Sequence, residues 1–450
     1  MRSEDTAQRV AITTLGCKIN QFESAAMSEN LGNEGFQVVP FEDRADIYVI
    51  NTCTVTARTD AESRRLIRRA LRHNPSAKIV VTGCYAQVAH EELREMAGVS
   101  LILGNAEKKG IAGLLREIGA GQKVLVSDIF REERAATLTL ETFAEHTRAF
   151  LQVQNGCDAF CSYCIVPYAR GRSRSVPFDD ALAGIGAFTK KGFNEVVLTG
   201  IHLSGYGRDL SPPATLLSLL AAAEERTLTP RLRLGSVEPT EISDELVAFL
   251  AASPIVCPHL HIPLQGGDDE VLLRMNRRYS TRDFRTLIEK LADAIPDLCI
   301  GLDVIAGFPG ETEKEFENGF HFVESLPVAY LHVFPFSPRP GTPAAVMKDQ
   351  LHAGVIRERA QAFRRLSDLK KRAYYRRFLH RELQVLVQSR ERDGLLKGLS
   401  RNYIPVYLEG DDSLLNTEVP VRIREVAREC VRGEVAGEAT PWWCDGCPSP

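Results

Sequence analysis

Apolar, β-branched runs of strand length alternate with helix-like stretches over residues 9–119. Strands that alternate with helices favour a parallel sheet covered by helices. The first part of the chain is therefore predicted to be a parallel α/β domain. The strand-like runs are VAITTL (10–15), ADIYVIN (45–51) and KIVVTG (78–83), and the helix-like stretches between them are 20–31 and 57–72.

The same alternation resumes beyond a polar, mixed stretch at 121–148, which we interpret as a linker between domains. Six consecutive βα units predict a barrel, partial or complete, whose active site lies at the carboxyl ends of its strands. The six strand-like runs lie at 149–154, 195–200, 231–236, 259–264, 300–307 and 329–336.

The last part of the chain changes character. A long, basic helix is predicted at 352–382, and short strand-like runs punctuated by Gly and Asp follow it. That pattern is typical of a small antiparallel β-barrel. The predicted division of the chain is an N-terminal domain at 8–120, the linker, a central domain at 149–374, a C-terminal barrel at 375–438 and a tail at 439–450.

The net charge and the cysteine count limit the functions that this chain can have. The 450 residues carry a net charge of −4, so RNA binding would depend on local clusters of basic residues. The polar start lacks the features of a signal peptide, no apolar run is long enough to span a membrane, and we expect a cytoplasmic protein. In that compartment, 11 cysteines indicate metal binding or catalysis rather than disulfides.

Three cysteines follow the three N-terminal strands. Cys17, Cys53 and Cys84 each lie just past the end of a strand-like run. Ligands of open α/β sheets bind outside the carboxyl ends of the strands. A single cysteine is often only a small buried hydrophobe, but the repeated placement favours one shared site.

A second group of cysteines has the spacing Cys-x3-Cys-x2-Cys, at Cys157, Cys161 and Cys164. Thiolates are the usual ligands of iron–sulfur clusters, and three of them leave one iron of a four-iron cluster open. Zinc is the alternative, but structural zinc normally has four ligands in two pairs. The nearest further cysteine, Cys257, has no second CxxC beside it. The spacing therefore favours the cluster.

This spacing, with Tyr163 before the last cysteine, resembles the radical S-adenosylmethionine (SAM) superfamily. The wider context resembles its methylthiotransferase family, which has MiaB, RimO and MtaB branches. TLGCKINQFES (14–24), NTCTVT (51–56) and VTGCYAQ (81–87) are similar to the N-terminal domain of that family, and the terminal barrel is similar to its TRAM domain, an RNA-binding module. The resemblance implies that Cys17, Cys53 and Cys84 ligate an auxiliary 4Fe-4S cluster.

The stretches around the first and third cysteines resemble the MtaB branch most. This implies a transferase that adds a methylthio group to carbon 2 of N6-threonylcarbamoyladenosine at position 37 of tRNA. The implied cofactors are two 4Fe-4S clusters and SAM, and the implied partners are the tRNA anticodon stem-loop and an electron donor such as a flavodoxin or ferredoxin. The sulfur donor stays open. No catalytic residue is expected beyond the cluster ligands.

Polar side chains near the ends of the central strands are candidate SAM contacts. A purely structural hydrogen-bonding role is the alternative for each of them, because buried polar groups need partners anyway. The candidates are Tyr163, Thr199, Ser236, Glu238 and Gln265.

Two basic helices and two tyrosines are candidates for RNA contact. Ten lysines and arginines lie in the 352–382 helix and six arginines lie between 58 and 72. Phosphate neutralisation would explain these charges, but a solvated face is the alternative. Tyr403 and Tyr407 are predicted either to stack on unpaired bases or to pack in the barrel core.

Two further functions stay open at this point. The same enzyme class has isopentenyladenosine tRNA or a ribosomal protein as alternative substrates. A protein without catalysis, in which metal sites only stabilise an RNA-binding fold, is the other alternative. The iron content and the modified nucleosides of tRNA distinguish these possibilities.

Overall fold

The computed structural model describes residues 7–119, 121–135 and 147–437. The predicted tail, with Cys444 and Cys447, lies outside the described residues. Within the described ranges, no helix is long and apolar enough to cross a membrane.

The N-terminal domain is the predicted parallel sheet with helices on both faces. Its strands are β1 (Arg9–Thr14), β2 (Gln37–Val39), β3 (Ile47–Thr52), β4 (Lys78–Gly83), β5 (Val99–Leu103) and β6 (Lys123–Leu125). Its helices are α1 (Lys18–Asn33), α2 (Ala57–His73), α3 (Cys84–Val88), α4 (His90–Arg94) and α5 (Ile111–Arg116). Separate apolar cores fill the two faces of the sheet.

The strand order of this sheet is β2-β1-β3-β4-β5-β6, with all neighbours parallel. The order reverses between β1 and β3, and such a switch point opens a crevice beyond the strand ends where ligands bind. The sixth strand, β6, comes from the stretch interpreted as a linker and pairs with β5.

The central domain is a partial βα barrel, as predicted. Its strands are β7 (Arg148–Gln152), the hairpin strands β8 (Gln154–Asn155) and β9 (Arg174–Ser175), β10 (Glu195–Thr199), β11 (Leu232–Leu234), β12 (His259–Gln265), β13 (Cys299–Ala306) and β14 (Tyr330–Pro335). Its helices are α6 (Val166–Arg170), α7 (Phe178–Lys190), α8 (Leu216–Glu225), α9 (Asp244–Ala252), α10 (Asp269–Arg274), α11 (Thr281–Ala294), α12 (Glu313–Ser325) and α13 (Ala353–Arg376).

The barrel consists of two three-stranded parallel sheets, β7-β10-β11 and β12-β13-β14. Single bridges from Leu232 to Val256 and from Ser236 to His261 join them into one curved wall. Edge strand β7 is covered by α1 of the N-terminal domain, whose Phe22 and Ala26 belong to the barrel's apolar core. The N-terminal domain thus completes the wall of the barrel.

The C-terminal domain is a closed barrel of five strands, β15 (Glu382–Arg390), β16 (Leu396–Ser400), β17 (Pro405–Leu408), β18 (Glu418–Val426) and β19 (Val431–Val435). Its pairs are antiparallel except β17 with β19, which is parallel. The strand-like run at 398–409 is divided into β16 and β17 by a turn at Tyr403, which has a positive φ of 67°.

This C-terminal barrel closes the amino ends of the central strands. Glu195 is fully buried there between Arg231 and Arg233, and the two guanidinium groups donate to the carbonyl oxygens of Leu399 (3.1 Å) and Arg401 (2.9 Å). The carboxyl ends of the central strands face the N-terminal domain, since Arg170 and Arg339, which follow β8 and β14, contact it there.

Candidate active site

The N-terminal cysteines converge at the switch point of the first sheet. Cys17 is the residue that caps α1, Cys53 follows β3, and Cys84 is the first residue of α3. The Asn20 amide ties two of these loops together, because it donates to the carbonyls of Leu15 (2.7 Å) and Thr52 (3.0 Å). The predicted convergence of three strand-end cysteines is present in the fold.

The N-terminal thiols are poor ligands until a cation displaces their protons. Burial raises the pKa of Cys17, and burial together with the neighbouring Cys84 raises the pKa of Cys53 to about 12. Metal ligation requires thiolate, so binding must release protons, and the charge of the metal provides that free energy. This chemistry fits an iron–sulfur cluster.

Gly16 permits the close approach of Cys17 and Cys53. Its φ is +103°, and a Cβ at this position would lie 2.6 Å from Cys53 Cβ and 2.9 Å from its Sγ. We expect Gly16→Ala to displace Cys53 and to halve the iron bound after reconstitution, from about eight to about four per chain. The matched control is Gly32→Ala in α1, where a Cβ meets nothing within 4 Å. A full iron content in Gly16→Ala would contradict this account.

The second group of cysteines lies in a loop at the carboxyl end of β7, and the β8–β9 hairpin closes that loop. The Cys157 amide donates to the Gly171 carbonyl (3.1 Å), and the Ser162 amide and hydroxyl donate to the carbonyls of Met275 and Arg274. The loop is therefore held at both ends against the barrel rim, where barrel chemistry takes place.

Two basic side chains contact this second triad. His202 Nδ1 lies 3.8 Å from Cys157 Sγ, and its Nε2 lies 2.9 Å from Glu241. Burial by itself lowers the pKa of His202, but hydrogen bonds to Cys157 and Glu241 raise it to about 10. Arg277 lies 3.6 Å from Cys161 Sγ. The site is thus built to hold negative charge.

The spacing of the sulfur atoms distinguishes a cluster from zinc. Around one zinc ion, thiolates at about 2.3 Å from the metal lie roughly 3.8 Å from one another. Among the residues that the structure describes, the one group close enough to share a single metal ion is His261, Asp303 and His332, and neither cysteine triad forms such a group. Cys257 is buried at the opposite, closed end of the barrel beside Glu195. The donor sets fit four-iron clusters, and Cys257 is not a fourth ligand.

Three of the candidate SAM contacts lie at neighbouring strand ends. Thr199 ends β10, Ser236 follows β11 and Gln265 ends β12. The Thr199 hydroxyl donates to the Leu151 carbonyl (3.1 Å). This bond is the kind of structural hydrogen bond that is the alternative to a SAM contact. Ser236 is exposed and Gln265 half-buried.

The other two candidates lie next to the second triad. Glu238 pairs with Arg277, and this arginine also contacts Cys161. Burial raises the pKa of the Glu238 carboxyl. Tyr163 packs against the apolar cluster of Met275 and Phe308 below the cysteine loop.

Two buried arginines of the central domain dock the N-terminal domain, and sequence reasoning missed both of them. Arg170 contacts Glu23, Asn20 and Cys84. Arg339 donates to the Thr54 hydroxyl (2.6 Å) and pairs with Asp60. The only sequence signal for Arg170 is its position six residues after Cys164.

The interior of the barrel carries further polar groups. His261 Nε2 lies 2.8 Å from Asp303, and His332 Nδ1 lies 3.6 Å from the same carboxylate. Burial would raise the pKa of Asp303, but these two histidines hold it below its usual range. Burial, followed by the charges of Arg148 and Arg233, lowers the pKa of Lys18, the residue next to Cys17, to about 8.

The basic stretch at 352–382, in which α13 ends at Arg376, contributes less free charge than its sequence indicates. Half of its ten basic side chains bond to protein groups: Arg359 to Glu311 and Glu313, Lys370 to the Glu324 and Leu326 carbonyls, Lys371 to Glu429, Arg377 to the Pro296 carbonyl and Arg381 to Asp297. Four others are exposed: Arg357, Arg364, Arg365 and Arg376. Tyr403 stacks on His259 at 3.9 Å, so the packing alternative holds for this tyrosine.

Comparison with known proteins agrees with this architecture. Residues 9–104 match the uncharacterized protein family UPF0004, and residues 151–323 match the radical SAM superfamily. A radical SAM methyltransferase, TsrM from Kitasatospora setae, has the same fold over 76% of this chain and 77% of its own, with a TM-score of 0.55 at 16% identity.

Curated relatives extend the match to nearly the whole chain. The threonylcarbamoyladenosine tRNA methylthiotransferase MtaB of Bacillus subtilis is 38% identical over 92% of this chain and 93% of its own. The tRNA-2-methylthio-N6-dimethylallyladenosine synthase of Thermotoga petrophila is 31% identical over 98% of this chain and 99% of its own. The chain therefore belongs to the methylthiotransferase family of radical SAM proteins, in the MtaB branch.

Proposed function

We propose that this protein is a tRNA methylthiotransferase that replaces the hydrogen on carbon 2 of N6-threonylcarbamoyladenosine, at position 37, with a methylthio group. The observation that carries this proposal is the similarity to MtaB relatives along about nine tenths of the chain. Its cofactors are two 4Fe-4S clusters and SAM, and its substrate is tRNA. We expect it to act in the cytoplasm, on the anticodon stem-loop.

The two triads divide the chemistry. Cys157, Cys161 and Cys164 would hold the cluster that, when bound, would supply the electron for reductive cleavage of SAM, and Cys17, Cys53 and Cys84 would hold the auxiliary cluster, which would carry the sulfur to be transferred. The fold of the chain determines where the two cysteine triads lie relative to each other. Both triads lie at carboxyl ends of strands, and the docked N-terminal domain turns its strand ends toward the barrel opening.

We assign the SAM contacts to Tyr163, Thr199, Ser236, Glu238 and Gln265, around the rim beside the second triad. Arg277 supports this assignment, because it links Glu238 to Cys161. We keep the domain division at 8–120, 149–374 and 375–438. β6 belongs to the N-terminal sheet in space, although it lies in the linker. This chemistry requires an electron donor, such as a flavodoxin or ferredoxin.

The Lys18 ammonium supports a substrate that carries a carboxylate. Its side chain forms no hydrogen bond or ion pair with any residue in the described ranges, and it comes from the residue next to Cys17. The threonylcarbamoyl group ends in a carboxylate, whereas an isopentenyl group has no charge. A charge-assisted hydrogen bond between Lys18 and this carboxylate would favour the former.

Replacing Lys18 by methionine is expected to raise the KM for a threonylcarbamoylated stem-loop by about tenfold or more, since a hydrogen bond to a charged group contributes roughly 1.5–3 kcal/mol. Steady-state kinetics measure this change, and the iron content must stay at the wild-type value. The exposed Lys314 on α12 offers the matched variant Lys314→Met, with an unchanged KM. A wild-type KM in Lys18→Met would remove Lys18 from substrate recognition.

The experiment that tests the function is mass spectrometry of tRNA nucleosides from a strain that lacks the gene, with and without the wild-type gene restored. We expect 2-methylthio-N6-threonylcarbamoyladenosine to disappear and to return with the gene. Loss of the methylthiolated isopentenyladenosine, or of a modified ribosomal protein, would assign one of the sister activities instead. An unchanged nucleoside profile would favour a non-catalytic RNA-binding protein.

A further inference from the structure

Arg170 belongs to the radical SAM motif but contacts the other triad. It ends α6, which begins two residues after Cys164. Its side chain is fully buried, and its Nε lies 3.2 Å from the Sγ of Cys84. The remaining guanidinium nitrogens bond to Glu23 and Asn20, which lie on α1 just after Cys17. One side chain therefore connects the two cysteine sites.

The charges around Arg170 are buried and do not cancel. Glu23 lies between Arg170 and Lys108, and all three side chains are at most 4% exposed. Burial alone would raise the pKa of Glu23, but the two cations lower it to about 2, so it is ionised. Burial lowers the pKa of Lys108, and the neighbouring Glu23 opposes this effect. With Lys108 protonated, two cations and one anion leave a positive excess beside Cys84. Water screens such a buried charge only weakly.

A four-iron cluster at this triad would carry the opposite charge. Three thiolates outweigh the charge of an oxidised four-iron core, and reduction adds a further negative charge. Net charge, hydrogen bonds to the sulfurs and solvent exposure set the potential of such clusters. A buried cation that donates a hydrogen bond to a ligand sulfur stabilises the reduced cluster most, and thereby raises its potential.

We propose that Arg170 is a positioning residue that holds Cys84 in place and raises the reduction potential of the auxiliary cluster. This inference rests on the two-cluster function proposed above. It gives the segment after Cys164 a second role, in which it fixes the electronic state of the cluster in the neighbouring domain. The competing role for Arg170 is domain docking alone.

Arg339 separates these two roles. It is also a buried arginine of the central domain that pairs with an acid of the N-terminal domain, Asp60. Its guanidinium donates to Thr54 and Asp60 and to no cysteine in the described part of the chain. A docking defect is therefore common to variants at both arginines, whereas an effect on the cluster potential is specific to Arg170.

The test uses the full chain with Cys157, Cys161 and Cys164 all replaced by alanine, so that only the auxiliary cluster is reconstituted. Its potential is measured by a redox titration followed by electron paramagnetic resonance. In Arg170→Gln we expect a more negative potential, with at least tenfold weaker electron affinity, which is about 59 mV for a one-electron couple. Arg170→Lys, which keeps the charge, should lie between this variant and the parent, and Arg339→Gln should match the parent.

Two results would overturn the proposal. One is an unchanged potential in Arg170→Gln with about four irons bound; the other is an equal shift in Arg339→Gln. If Arg170→Gln folds but binds no iron, while Arg339→Gln binds it, the role of holding Cys84 is supported, and Arg170→Lys then decides the effect on the potential. If both glutamine variants lose iron, docking alone explains Arg170. The nucleoside profile is a separate readout, so a failure of the proposed function is recognised independently.

Discussion

Replacing Cys53 by alanine is expected to abolish methylthio transfer while the cleavage of SAM to 5′-deoxyadenosine continues. Cys53 lies at the end of β3, in the N-terminal triad, whereas the loop of Cys157, Cys161 and Cys164 is anchored separately on the barrel rim. Loss of one site therefore leaves the other loaded, with about four irons per chain instead of about eight. Mass spectrometry of 5′-deoxyadenosine and of the modified nucleoside measures the two activities in one reaction.

Two further cysteine variants serve as controls, one expected to lose both activities and one expected to keep both. Cys161→Ala is expected to lose both activities, because the cluster that cleaves SAM is lost. Cys257→Ala, at the buried floor of the barrel, is expected to keep both. Methylthiolated product from Cys53→Ala, or product formation by Cys161→Ala, would show that the two triads do not divide the chemistry in this way.

Glu195→Gln is expected to lower the free energy of unfolding by about 3–5 kcal/mol, since removing one partner of a buried ion pair leaves uncompensated charge. Glu195 is fully buried between Arg231 and Arg233, and Arg148 lies 3.6 Å away. Arg231 and Arg233 hold the amino ends of the central strands to the C-terminal domain. Denaturant unfolding measures the loss.

The same carboxylate gives a pH dependence. Burial would raise the pKa of Glu195, but Arg233 and Arg231 lower it well below its usual range. A depressed folded-state pKa contributes stability above the unfolded pKa, at about 4.3, and that stability is lost as the pH falls below it. Glu195→Gln should therefore flatten the decline of stability between neutral and acidic pH.

The control for this prediction is Glu289→Gln. Glu289 is an exposed residue that pairs with Arg285 one helical turn earlier, at 3.5 Å. Exposed pairs of this kind contribute about 0.3–0.5 kcal/mol. Equal stabilities for Glu195→Gln and Glu289→Gln would mean that the buried network does not hold the domains together.

Much of this architecture follows from local sequence patterns. Strand-length apolar runs placed β1, β3 and β4, and a cysteine of the proposed auxiliary site lies one or two residues past the end of each run. Glycine in the left-handed region explains why Gly16 precedes one of them. The six central strands were predicted for the same reason, because the pattern of apolar residues and the length of an apolar run can be recognised within a short stretch of sequence.

The features that the sequence did not predict depend on contacts between distant residues. β6 has only three residues and is recognisable as a strand only through its pairing with β5. Arg170 and Glu23 lie 147 positions apart, and a single basic residue has no periodic signature that identifies its partner. The basic character of the 352–382 stretch was visible, but not that half of its ten basic side chains bond to protein groups.

Methylthio transfer by the protein itself is tested in a reaction of the purified, anaerobically reconstituted protein with SAM, a reductant, sulfide and an anticodon stem-loop that carries N6-threonylcarbamoyladenosine at position 37. We expect two four-iron clusters per chain and a nucleoside in which a methylthio group replaces one hydrogen on carbon 2. Formation of 5′-deoxyadenosine with an unmodified nucleoside, from protein that holds both clusters, would contradict this expectation.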